Sequence, residues 1–217
     1  MGLKEKLLNQ CRKPKGVFGK LVVKRMNKEH FNMAEWGISH ITINPKDVIL
    51  DIGCGGGLNV YSFAHIIKEG KVYGIDYSKV SVKLSKKLNK KFIESGLVEI
   101  KYASVSSLPF PENSFDLITA FETYYFWPDL INDLKGILNL LKPGGTLLLT
   151  NEVFKCKNKN LLERNEKWAK LGKFIIHTPQ EFQELLEKVG FSEITIDTEE
   201  NRSYIVSIGK KDFRQYN

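Results

Sequence analysis

The residues of this chain whose types and spacing could do chemistry gather at four places. They are an acid with glycines over residues 51–57, an acid at Asp76, a serine-rich turn at Ser104, and an acid followed by aromatics from Glu122 to Trp127. The first of these reads D-I-G-C-G-G-G. It follows the apolar run 48–50 and precedes a helical pattern over 58–68 with a stripe through Leu58, Tyr61, Ala64 and Ile67. Glycine carries no Cβ, so such a turn brings bare N–H groups against a ligand. Strand, glycine turn and helix make half of a nucleotide-binding βαβ unit. Asp76 ends a second strand pattern over 71–75. It follows Gly57 at close to the spacing, about 20 residues, at which a βαβ unit places a ribose-binding acid. The same carboxylate also suits the start of the helix that follows from Ser78, where negative charge is favoured.

Two cofactor classes use this geometry, and spacing separates them. The dinucleotide fingerprint G-x-G-x-x-G fails in both registers, because its third glycine position falls on Leu58 or on Val60. D-x-G-x-G-x-G over 51–57 resembles motif I of the class I S-adenosylmethionine-dependent methyltransferases, of the small-molecule type with methyltransferase domains like numbers 11 and 25. The resemblance implies S-adenosylmethionine as cofactor. Asp51, Gly53, Cys54 and Gly55 would hold its amino acid end, Asp76 with Tyr77 its ribose, and Ser104, Val105 and Phe121 the remainder of the crevice. In the family a stretch like G-D-A-x-x-L-P-F, a polar turn and F-D stands where this chain has residues 104–116. Leu108, Pro109, Phe110, Phe115 and Asp116 match, but Ser104 occupies the position of the adenine-binding aspartate. A hydroxyl is a weaker, uncharged acceptor. The backbone N–H of Val105 would be left to serve the ring.

Glu122 is a polar exception directly after the apolar strand pattern 117–121, and E-T-Y-Y-F-W-P-D opens there. Open α/β sheets bind ligands outside the carboxyl ends of their strands, which places Glu122 in the crevice of Asp51 and Asp76. Aromatic faces attract a cation such as a sulfonium by about 0.5 to 2 kcal/mol, although the same side chains also suit a core. Glu122 is the candidate catalytic residue, either ordering the cofactor's amino acid end or touching the acceptor. Trp36, His40, Tyr124 and Tyr125 are the candidate acceptor contacts. The implied reaction is in-line displacement at the methyl group. Proximity would supply about 7 to 11 kcal/mol, and Glu122, His40 or one of the two tyrosines would take a proton where the acceptor must lose one.

The elements that must position these groups follow in order. A strand pattern at 98–103, a helix at 130–141 ended by K-P-G-G, and a strand at 146–150 strongly resemble the methyltransferase core. Residues 178–181, T-P-Q-E, have the capping-box form with proline at the first helical position. Two strand patterns, 193–198 and 204–209, then form a terminal hairpin. The expected fold is α/β: a Rossmann-like, seven-stranded, mostly parallel sheet with an antiparallel terminal strand, helices on both faces and an N-terminal helical lid. Residues 1–43 are expected as a helical cap of one or two helices and 44–217 as the cofactor-binding domain. The long connection 153–177 has the length of a functional segment.

Composition bounds the rest. Three scattered cysteines give no metal spacing and no disulfide framework, which suits a reducing cytoplasm. No metal is expected. No apolar run is long enough to span a membrane, and the start M-G-L-K-E-K lacks the apolar core of a signal peptide. The formal charge of +8 raises the question of nucleic acid. Signatures of base methyltransferases are missing, so a small-molecule acceptor is favoured over RNA or protein, with neither a nucleic-acid nor a membrane partner expected. A protein that binds the cofactor without transferring its methyl group stays open as an alternative.

Overall fold

Near-continuous apolar strands are what a parallel sheet buried on both faces requires. The computed structural model describes residues 3–213. Its helices are α1 (Leu3–Arg12), α2 (Gly16–Glu29), α3 (Phe31–Ile38), α4 (Leu58–Ile66), α5 (Lys79–Leu88), α6 (Lys90–Glu94), α7 (Leu130–Leu140), α8 (Lys159–Gly172) and α9 (Pro179–Val189). Its strands are β1 (Val48–Ile52), β2 (Lys71–Asp76), β3 (Val98–Tyr102), β4 (Phe115–Phe121), β5 (Leu141–Asn151), β6 (Ser192–Glu199) and β7 (Tyr204–Lys210). They form one sheet in the order β3-β2-β1-β4-β5-β7-β6. The first five strands pair in parallel, while β7 runs antiparallel to both β5 and β6. The last strand of the chain is thus the reversed one. It is inserted one place in from the edge, and β6 forms the edge itself.

Strand alternation splits the core in two. Ile49, Val72, Leu117 and Leu148 face α3, α4 and α5, whereas Leu50, Ile75, Ile118 and Leu149 face α7 and α9. The helix ends follow their sequence signals. Thr178 and Glu181 exchange both capping-box bonds around Pro179, and Gly190 closes α9 in the left-handed region. Ser78 accepts from the Ser81 N–H at the start of α5. Strand β5 starts five residues earlier than the regular pattern 146–150. Gly144 and Gly145 bond to the backbone of Lys211, and the register against β4 shifts between Phe115 and Leu117, so residues 142–145 join the sheet as an irregularity rather than as a plain turn.

The N-terminal segment holds three helices where one or two were expected. Pro14 and the positive φ of Gly16 separate α1 from α2, and His30, at φ −89° and ψ 2°, separates α2 from α3. The link between α1 and α2 is fastened to the end of β2. The Tyr77 hydroxyl donates to the Arg12 carbonyl at 2.6 Å and the Ser78 hydroxyl to the Pro14 carbonyl at 2.8 Å.

Candidate active site

The carboxyl ends of β1, β2, β4 and β5 open into one cavity of about 520 Å³, within the range of about 300 to 1,000 Å³ usual for small-molecule sites. One end is the glycine turn. Gly53 has φ +72°, and a Cβ there would overlap the Thr123 methyl group, so both conformation and space demand glycine. The N–H groups of Gly53 and Cys54 both donate to the Ile75 carbonyl at 2.9 Å, which binds the turn to the end of β2. Asp76 completes the clamp. Its Oδ2 accepts from the Gly55 N–H at 3.0 Å and its Oδ1 from the Ser78 N–H at 2.7 Å. Each oxygen keeps a further lone pair for a hydroxyl donor. Burial raises the Asp76 pKa to about 6 against those two hydrogen bonds and a third from the Ser81 side chain.

The other end is built on Glu122. This residue lies one position beyond β4 and has φ +57°, a left-handed conformation uncommon for a non-glycine residue. Its N–H donates to the Thr150 carbonyl at 3.0 Å. Its carboxylate lines the cavity, where it accepts from the Tyr125 hydroxyl and from the Glu152 N–H. Glu152 stands one position beyond β5 and lines the same wall, as does His30 from the junction of α2 and α3. Burial raises the pKa of Glu122. Burial, and then the charge of Glu122, raises that of Glu152 to about 7, while burial lowers that of His30. Two carboxyl groups and an uncharged imidazole therefore share one desolvated site, an arrangement that stores and accepts protons near neutral pH.

Most of the sequence candidates meet on this cavity: Gly53, Cys54, Gly55, Asp76, Tyr77, Ser104, Val105, Phe121, Glu122 and Tyr125 all line it. Four do not. Asp51 is 1 % exposed and pairs in register with Thr119, whose hydroxyl donates to its Oδ1 at 2.9 Å. Its side chain thus points into the sheet layer rather than onto the cavity wall. Tyr124 is also 1 % exposed and packs edge-on against Phe182 at 5.0 Å between ring centroids, while Tyr125, Phe126 and Trp127 after it line the cavity. Trp36 packs against the rings of His40 and Tyr204. His40 bonds through Nε2 to Asp197 at 3.0 Å. Trp36 belongs to α3 and His40 follows its end, and Gly37 of α3 sits directly on Thr150 of β5.

Other lining residues escaped the sequence reading. Val22, Met26 and Glu29 of α2, Arg164 and Trp168 of α8, and Phe174 beyond it close the cavity from above. The spacing of the α2 group, i, i+4 and i+7, is one face of a helix. Glu152 was findable by the rule that found Glu122, an acid immediately after a buried strand.

Asp51 offers a test of the electrostatics. Burial raises its pKa to about 7, well above the unfolded value of about 3.9. A carboxyl shifted upward contributes stability that is present below the unfolded pKa and is lost as the pH rises through the folded pKa. Asn in its place keeps an acceptor for Thr119 and has no such loss. Relative to the wild type, Asp51→Asn should therefore gain about 1 kcal/mol between pH 6 and pH 8, or about 2 to 4 °C in melting midpoint. Melting curves of the two proteins that stay parallel across this range would show that Asp51 is ionised at little cost.

Residues 50–149, from within β1 to within β5, match the model of a family described as a methyltransferase domain. The match spans the glycine turn, Asp76 and Glu122 on the strands that place them at one cavity. Residues 50–149 thus form a class I S-adenosylmethionine-dependent methyltransferase domain. Among its relatives, a chloroplastic methyltransferase of Arabidopsis thaliana is 32 % identical over 129 residues, covering 58 % of this chain and 34 % of that protein. The O-methyltransferase cnsE of Penicillium expansum is 30 % identical over 156 residues, covering 70 % and 55 % respectively. The chain thus spans about a third of the length of the first and about half of the second. Its fold is also that of a Haloferax volcanii protein solved with the Trm112 methyltransferase activator, with a TM-score of 0.78, 16 % identity and coverage of 91 % and 96 %.

The family's cofactor is S-adenosylmethionine, and the residues present fit it. The clamp of Gly55 and Asp76 leaves carboxylate lone pairs for ribose hydroxyls. Ile52, Ile75, Val105 and Phe121 supply apolar surface on the same cavity. At the position of the family's adenine-binding acid, the Ser104 hydroxyl accepts a long bond of 3.4 Å from the Ser106 N–H and lines the wall.

Proposed function

We propose that this methyltransferase transfers the methyl group of S-adenosylmethionine to a small-molecule acceptor held between the aromatic side chains Tyr125, Trp127, Trp168 and Phe174 and the pair Glu122 and Glu152. The observation that carries this reading is the roof. Side chains of α1, α2 and α8 close over the ends of β4 and β5 and leave a chamber beyond the cofactor end. A small metabolite fits such a space whole, whereas a macromolecule would enter it only with a single side chain or an extruded base.

The cofactor supplies an electrophilic methyl group on a sulfonium. The chain's residues orient, exclude water and handle the proton. Tyr125 stacks on Phe174 at 4.7 Å with 20° between the planes, a rigid apolar wall that restricts the acceptor's approach. Glu122, held by Tyr125 and the Glu152 N–H, would accept a proton from a hydroxyl or amine nucleophile. Several relatives are named for O-methylation, a reaction in which a hydroxyl proton must leave.

The test is to incubate the protein with tritiated S-adenosylmethionine and a cell extract, then separate small molecules, RNA and protein. Label in the small-molecule fraction is the expected result. Label confined to RNA or to protein would overturn the acceptor class. The three free cysteines, Cys11, Cys54 and Cys156, support the reducing cytoplasm as its compartment.

A further inference from the structure

The positive charge of this chain is not spread evenly. Between Glu5 and Glu29 lie eight of its 33 Lys and Arg and none of its Asp or Glu, so this stretch carries the whole formal excess of +8 and the other residues balance to zero. Its structured centre is α2, which separates two environments. On the inner side Gly19, Val22 and Val23 are buried, and Val22 and Met26 face the cavity. On the outer side Val17, Phe18 and Leu21 are 74 %, 54 % and 61 % exposed. Lys20, Lys24 and Lys28 are exposed beside them, and Lys13 and Lys15 precede them on the link.

We infer that the outer face of α2 docks on the surface of an anionic membrane, with Val17, Phe18 and Leu21 entering the headgroup boundary and the flanking lysines meeting anionic lipid. Basic residues beside exposed apolar ones on a helix are the pattern of an interfacial helix, in which apolar burial and electrostatic attraction add. A phosphate backbone would engage the lysines and leave three apolar side chains in water; a lipid surface satisfies both groups. No helix among the described residues is long and apolar enough to cross a membrane, and docking requires none. Because the inner side of α2 closes the cavity, docking would set the chamber against the bilayer with one helix between them. The inference is independent of which molecule is methylated.

The experiment is sedimentation of the whole protein with vesicles of phosphatidylcholine alone and of phosphatidylcholine with one quarter phosphatidylglycerol. The wild type is expected to pellet with the second and not the first, and to be released by salt. Val17→Gln, Phe18→Gln and Leu21→Gln together, at positions outside the cavity, should weaken binding at least about tenfold while leaving the melting shift caused by S-adenosylmethionine unchanged. If that variant does not fold, Lys20→Gln with Lys24→Gln must show the loss instead. The inference is overturned if the wild type stays in solution with both vesicles, or if the triple variant pellets as the wild type does. It is also overturned if the apolar face mediates self-association without lipid, or if homopolymeric RNA binding is what the triple substitution removes.

Discussion

Replacing Glu122 with Gln should lower turnover by about 10²- to 10⁴-fold, the range of general-base contributions, while the affinity for S-adenosylmethionine changes by less than about threefold. Gln keeps the volume of the side chain and a carbonyl oxygen for the Glu152 N–H, so the turn after β4 and the wall built on Tyr125 stay in place. It cannot take a proton. The pH profile separates this role from a merely structural one. Burial and the Glu122 charge hold Glu152 at about 7, so wild-type kcat should rise through an inflection there. Glu122→Gln removes the partner charge while burial remains, and should move the inflection to lower pH. Unchanged turnover in Glu122→Gln, with the inflection intact, would remove Glu122 from the reaction.

What could be read from the sequence was local, and what could not be read was made by tertiary packing. The glycine turn, Asp76 and Glu122 each stand at the end of an apolar strand. In a parallel sheet every such end points to the same rim, so linear order alone brings them together. The same logic explains why Asp51 lies off the cavity wall: it precedes the turn by two residues and is still inside the strand, where alternation sends it against Thr119. Trp36 and His40 are near the first strand in sequence. The seating of α3 on β5 was not legible, because it depends on the contact of Gly37 with Thr150, more than 100 residues away in sequence. Arg164, Trp168 and Phe174 reach the cavity only through the packing of α8, and the length of the connection 153–177 signalled a functional segment without saying which side chains would turn inward.

Asp76→Ala should weaken S-adenosylmethionine binding by about 10²- to 10³-fold, because hydrogen bonds to a charged acceptor contribute about 1.5 to 3 kcal/mol each and the carboxylate has room for two hydroxyl donors. The effect on the fold should be small, for opposing reasons. Removing the side chain strips acceptors from the Gly55 and Ser78 N–H groups, at about 1 to 3 kcal/mol each. It also abolishes a buried carboxylate whose pKa burial has raised to about 6, and that ionisation opposes folding above pH 6 by about 3 kcal/mol. At pH 8 the two contributions nearly cancel, so the ligand-free melting midpoint should stay close to that of the wild type while the dissociation constant moves by two to three orders of magnitude. The sign of the pH dependence follows from the same pKa: only the ionised carboxyl accepts from both hydroxyls, so wild-type affinity should fall as the pH drops below about 6, and Asp76→Ala should lose that dependence. Calorimetric titration at pH 5.5 and pH 8 measures both quantities. A dissociation constant for Asp76→Ala within about threefold of the wild type at pH 8, a difference below about 1 kcal/mol, would mean that the ribose is held elsewhere on the cavity wall.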